Sequence, residues 1–277
     1  MKLHFSSFRY IINILYKEGE KVIIKTEKEL EKMQEIGAIC ALVLKEMGEA
    51  VEAGISTLEL DMIGKAAFAR YGAVSAPIAC YNFPGYTCIS VNEVVAHGIP
   101  SDKKILKKGD LINIDVSAHK DGYFSDTAYT YSVGEVFGHK KKLMDCSYRA
   151  RDLAIACAVA GGRLNELGKQ VEKEAKRNGF TTIKNLCGHG VGKTLHDEPE
   201  SIYNYHEKLD RRIIKEGMAL AIETFVSERD NYVEDFGDDG WTLVTPNKCQ
   251  VVQYEHSVMV TDGEPLILTV PNASFLK

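Results

Sequence analysis

The chain has 277 residues, of which 45% are apolar and 26% charged, with a net charge of −5. That is enough apolar sequence for a substantial core, and an acidic balance without a Lys/Arg stripe excludes recruitment to nucleic acid by the overall field. Seven cysteines with no CxxC pair fit reduced thiols in the cytoplasm rather than a disulfide framework, and no run is long and apolar enough to span a bilayer.

The first 21 residues, "MKLHFSSFRYIINILYKEGEK", read as an N-terminal extension, with a single domain over 22–277. The extension resembles a secretory signal only superficially, because Arg9 and Asn13 interrupt its apolar stretch and no small-residue cleavage site follows. It is expected to pack against the domain. Thr26 with Glu29 forms a capping box, and Leu30, Met33, Ile36, Cys40, Val43 and Met47 then recur at helical spacing. Ser56 with Glu59 opens a second helix that closes at Gly72. Residues 73–136 have strand and turn character. Helical patterns return over 139–160 and 164–178, and strands follow from about 181 onward.

Within the first strand region, "INIDVSAHKDGYFSDTAYTY" (112–131) reads as a tight hairpin turning at Lys120–Gly122. Alternation puts Asn113, Asp115 and Ser117 on one face and Ile114 and Val116 on the other. Folding back sets Asp126 opposite Asp115, and two ionised carboxylates so placed repel unless a proton or metal ion intervenes. The helix–helix–strands order occurs twice. "KKGDLINID" (107–115) aligns with "KEGMALAIE" (215–223), matching Asp115 to Glu223, and Gly54 and Gly162 share that offset. "SDTAYTYSVGE" (125–135) aligns with "YEHSVMVTDGE" (254–264), matching Asp126 to Glu255. An internal duplication follows, each half delivering two carboxylates from a strand pair to a shared centre.

None of these four carboxylates has a matching Lys or Arg in its apolar strand, and a divalent metal is the economical compensation. His189, flanked by Gly188 and Gly190, lies in "CGHGVGKTLHDEP" (187–199) with His196, while His97 precedes Gly98 in "NEVVAHGIP" (92–100). Carboxylates and imidazoles without thiolate make a hard site suited to Mn, Fe or Co. Two bridged ions at such a site favour hydrolysis. HExxH, GxSxG, P-loop and GxGxxG patterns are absent.

"TCISVNEVVAHGIP", "GDLINIDVSAHKDGYFSDTA", "LCGHGVGKTLHDEP", "MALAIETFVS" and "VVQYEHSVMVT", in that order over about 22–268, resemble the motif series of type I methionine aminopeptidases. The resemblance implies the pita-bread fold, an α/β (α+β) architecture whose pseudo-twofold halves surround a central antiparallel sheet. It implies removal of N-terminal methionine from peptides and nascent proteins near the ribosome, with a small second residue preferred, by a cytoplasmic monomer. It also implies two divalent ions (Co, Mn, Fe or Zn), with Asp126 and Glu255 bridging, His189 and Glu223 completing one shell and Asp115 the other. A metal-held hydroxide attacks the first peptide carbonyl, Glu223 shuttles the proton, His97 contacts the scissile amide, and His196 hydrogen-bonds the carbonyl.

By the same resemblance Phe83, Cys88 and Trp241 line the methionine pocket, with Pro77, Cys80 and Leu195 as further candidates. The sequence departs from the family in Thr224, where Pro is common, and in Ala96, where some members have Cys. The rival readings are an X-Pro aminopeptidase or dipeptidase of the same fold, and a non-catalytic pita-bread binding protein. Both fit less well, the first because such relatives carry an extra N-terminal domain and the second because such relatives lose ligands.

Overall fold

A computed structural model describes residues 24–276. The expected extension over 1–21 lies outside the described residues. Helix α1 (Glu27–Glu49) starts on the expected capping box, with Thr26 Oγ1 accepting from Glu29 N and the Glu29 carboxylate accepting from Thr26 N. Helix α2 (Thr57–Tyr71) starts on the Ser56–Glu59 box and ends at Gly72, whose φ of +67° is the left-handed conformation that closes helices. Strand β1 (Val74–Ser75) is followed by a short helix α3 (Ala76–Tyr81) inside the stretch expected to be strands and turns. Pro77 in its first turn supplies a preset φ and lacks an N–H that would have no helical partner.

Strands β2 (Cys88–Val91), β3 (Val94–Ala96), β4 (Leu111–Lys120) and β5 (Tyr123–Ser132) complete the first half. The second half opens with α4 (Gly138–Ile155) and α5 (Leu164–Arg177). The helix expected over 139–160 stops at Ile155, where Cys157 N and Ala158 N bond three residues back and tighten the chain out of the α-helix. Short β6 (Thr181–Thr182) precedes β7 (Cys187–Gly190), β8 (Asp197–Tyr203) and β9 (Ala219–Ser227). Then come β10 (Glu234–Asp235), β11 (Leu243–Val244), β12 (Val251–Met259) and β13 (Leu266–Ile267).

Strand β4 pairs antiparallel with β5 on one side and with β1 and β2 on the other. The β4–β5 turn is the two residues Asp121 and Gly122, at φ +52° and +80°, the pair of left-handed residues a type I′ turn requires. In the second half β9 pairs with β12, and the sheet runs β13-β12-β9-β7-β8. Helices α1 and α4 pack on the two hairpins in corresponding places, one behind β4 and β5, the other behind β9 and β12. Each packing buries its own apolar cluster. Met33, Ile36, Val43, Ile112 and Ile114 belong to the first, and Leu143, Ala150, Leu167, Leu220 and Val252 to the second.

The halves meet along β5 and β12 through side-chain bonds rather than a continuous ladder. Thr127 and Thr130 hydroxyls donate to the Glu255 and Gln253 carbonyls at 2.9 and 2.7 Å. Ser257 Oγ accepts from Asp126 N at 3.0 Å and donates to Asp126 O at 2.7 Å.

The duplication carries one register difference. Glu223 stands directly across from Glu255, but Asp115 faces Ala128 and Asp126 faces Ser117. Asp126 is therefore not opposite Asp115 as expected; the two are diagonal neighbours on the same face. A shift of two residues preserves the face because side chains alternate with period two.

Replacing Ser56 by Ala removes one cap of α2 and is expected to cost about 1 kcal/mol. Urea unfolding followed by circular dichroism should show a lower midpoint at an unchanged slope.

Candidate metal centre

The β4–β5 and β9–β12 hairpins turn Asp115, Asp126, Glu223 and Glu255 into the space between them, and β7 adds His189 beside Ala221 of β9. A Cβ on Gly188 would collide with Ala221 O, and one on Gly190 with the Glu198 carbonyl. Glycine on both sides of His189 is thus what lets β7 approach its neighbours closely. His189 Nδ1 lies 2.8 Å from Gly190 O, and a carbonyl only accepts, so Nδ1 carries the proton. Nε2 is left with its lone pair toward Asp126 Oδ2 and Glu223 Oε1, 3.9 Å from each. Burial keeps this imidazole neutral by lowering its pKa to about 4. A neutral ring fixed by its far nitrogen is a ligand ready for metal.

The carboxyls are pushed the other way. Burial, opposed by bonds from Asp126 and Gln253, raises Asp115 from 3.8 to about 6. Burial and then repulsion from neighbouring carboxylates raise Asp126, Glu223 and Glu255 well above the usual range. Two oxygens at the centre, Asp126 Oδ1 and Glu255 Oε1, are buried and meet no hydrogen-bond partner among the described residues. Ligand atoms of Asp126, His189 and Glu255 lie within 4.8 Å of one another. Close carboxylates, an aimed imidazole lone pair and two orphaned oxygens fit a divalent cation better than any arrangement of shared protons.

Two further expected histidines lie near His189. His97 follows β3 in a left-handed backbone conformation, φ +54°, and burial holds its ring at a pKa of about 4. The ring of His196 lies 4.3 Å from that of His189, centroid to centroid, and the Tyr81 hydroxyl meets its Nδ1 at 2.5 Å. His196 is held well below the ordinary histidine range, first by the surrounding protein and then by the other two rings, although its surface is open to solvent.

Phe83 and Trp241 meet edge to face at 5.2 Å, and Cys88 of β2 stands across from Asp115 of β4. Pro77 and Cys80 are carried by α3, and buried Leu195 adjoins His196. Thr224 keeps Glu223 in place, since its hydroxyl donates to Tyr254 O at 3.3 Å within the β9–β12 pair.

Three neighbours escaped the sequence reading. Tyr81 holds His196, and nothing local marks it. Asp61 of α2 accepts from Tyr86 N, Thr87 N and Thr87 Oγ1, fixing the chain where it enters β2. Gln253 donates to Glu223 Oε2 at 3.0 Å. Strand alternation could have found it, being two residues before Glu255.

The family model described as Metallopeptidase family M24 matches residues 31–262. The chain is 47% identical over 248 residues to Methionine aminopeptidase 2 of Bacillus subtilis (strain 168), covering 90% of this chain and 99% of that protein. The chain belongs to metallopeptidase family M24, on its methionine aminopeptidase branch. Methionine aminopeptidase of Escherichia coli (strain K12) is 36% identical over 250 residues, covering 90% of this chain and 94% of its own. Among solved structures, methionine aminopeptidase from Thermotoga maritima superposes with a TM-score of 0.85 at 34% identity, over 90% of this chain and 99% of that one. The fold is accordingly the pita-bread fold of that family. Prolidase from Pyrococcus furiosus shares it at a TM-score of 0.72 and 24% identity, with 66% of that chain covered, a likeness of fold alone. The X-Pro reading is therefore not favoured.

The raised carboxyl of Asp115 sets a sign for stability. Its folded pKa of about 6 exceeds the ordinary 3.8, so its contribution is fully present below about pH 4 and lost as pH rises through about 6. Scanning calorimetry of metal-free protein should show the parent losing ground to Asp115→Asn across that interval. Divalent metal at pH 7 should restore the parent and not the variant.

Proposed function

We propose that the chain removes the N-terminal methionine from peptides and nascent proteins, using two divalent ions held by Asp115, Asp126, His189, Glu223 and Glu255. The observation that carries the reading is the pair of buried oxygens on Asp126 and Glu255 that have no partner among the described residues, near an imidazole whose lone pair is aimed between Asp126 and Glu223. Asp126 and Glu255 would serve both ions, His189 and Glu223 would complete one shell, and Asp115 would serve the other. Four carboxylate charges balance two divalent cations, and the oxygen-rich donor set favours Mn, Fe or Co, with Zn the remaining candidate.

Ions bound there lower the pKa of water and polarise the scissile carbonyl. Glu223 accepts the proton released as water attacks and passes it to the departing amine. Its carboxyl sits where burial raises the pKa, which suits a group that must hold a proton briefly. His196 hydrogen-bonds the carbonyl oxygen as the carbon becomes tetrahedral, and its neutral ring adds no charge to repel the cations. His97 contacts the scissile amide. Phe83, Cys88 and Trp241 take the methionine side chain, an unbranched thioether that fills a narrow apolar slot, with Pro77, Cys80 and Leu195 extending the walls.

The setting we infer is cytoplasmic, with the chain acting as a monomer on polypeptides emerging from the ribosome. The seven cysteines are free thiols, and no described helix is long and apolar enough to cross a membrane.

Purified protein supplied with Co or Mn should release Met from Met-Ala and Met-Gly peptides and act poorly when the second residue is bulky. Chromatography of the products decides this: no release by folded protein under several divalent metals would sink the reading, and release only before proline would move it to the X-Pro enzymes. His196→Ala should lower kcat about 100-fold or more with KM little changed, if the ring acts mainly on the tetrahedral species.

A further inference from the structure

Gln253 occupies β12 two residues before Glu255, so alternation points both side chains to the same face. It is only 2% exposed, and a buried amide must find partners. Its Nε2 donates to Glu223 Oε2 at 3.0 Å. An amide nitrogen donates and a carboxylate oxygen only accepts, so the direction of that bond is fixed.

The backbone of Gln253 is itself pinned by the other half. Its carbonyl accepts from Asn113 Nδ2 at 3.2 Å and Thr130 Oγ1 at 2.7 Å, and its N–H donates to Thr130 Oγ1 at 3.3 Å. The side chain therefore starts from a fixed point on the seam between the hairpins. With Glu223 Oε2 engaged by the amide, Oε1 is the oxygen left toward His189 Nε2, 3.9 Å away.

We propose that Gln253 is a positioning residue of the metal centre, whose amide holds Glu223 as a one-oxygen ligand. The inference rests on the two-ion reading. Loss of a partner that orients a ligand typically costs 10- to 100-fold in metal affinity, and here the loss should fall on the ion assigned to Glu223. Thr130 and Asn113 fix the strand through the backbone of Gln253. The side-chain amide is the element that selects the ligand geometry.

The test is calorimetric titration of Co or Mn into chelator-treated full chain, parent against Gln253→Met, which keeps the volume and removes the donor. The expected result is a native near-ultraviolet dichroism spectrum in the variant, 10- to 100-fold weaker binding of an ion, and an altered visible spectrum of the Co-loaded form. Gln253→Asn keeps an amide but shortens its reach, and should show the same loss; it decides the matter should the Met variant misfold. Affinity of the folded variants within twofold of the parent would overturn the positioning role while leaving the metal centre standing. A parent that binds no divalent cation would overturn the two-ion reading itself.

Discussion

Four carboxylates held together away from water repel one another, and the rest of the molecule is arranged so that they stay together. Asp126 and Glu255 are 7% and 1% exposed, and both carry an oxygen that no described group satisfies. A sheet built only for stability would place valine or isoleucine there, as it does at neighbouring positions such as Ile114, Val116 and Val258. The cost is borne because helices α1 and α4 clamp the hairpins from behind, and because hydroxyls of Thr127, Thr130 and Ser257 lock the seam from within. A bound divalent metal compensates the charge that makes this grouping a local liability.

The histidines obey the complementary constraint. Near cations a charged imidazole would be repelled, and burial removes that charge by depressing the pKa of His97 and His189 to about 4. What distinguishes the rings is the fixed partner each has. His189 spends its proton on Gly190 O and turns a lone pair inward, while His196 is met at Nδ1 by Tyr81. The two rings thus differ by the hydrogen bond at Nδ1 rather than by residue type.

Much of this was legible along the chain, for reasons that are local. The Thr26–Glu29 and Ser56–Glu59 boxes span one helical turn, so spacing alone exposes them. Val- and Ile-rich strands interrupted by Glu223 and Glu255 stand out because an acid there has no apolar rationale. The weak alignment of residues 107–115 with 215–223 proved to join two strands, β4 and β9, that start at matching places. Helix α3 was missed because six residues are too few to show a period. Asp61 was missed because its partners, Tyr86 and Thr87, lie in another element and leave no pattern beside it.

The sequence by itself determined the kind of chemistry: hard oxygen donors and imidazoles in apolar strands, supplied twice over, with glycines that let His189 come close. Only the tertiary structure decided how those donors divide their work. It placed Asp126 diagonal to Asp115 but Glu223 directly across from Glu255, left Asp126 Oδ1 and Glu255 Oε1 without partners among the described residues, and gave Glu223 Oε2 to Gln253. The physical reason is range. Caps and alternation act within a few residues, whereas repulsion and ligation depend on separations between strands remote in sequence, which packing alone sets.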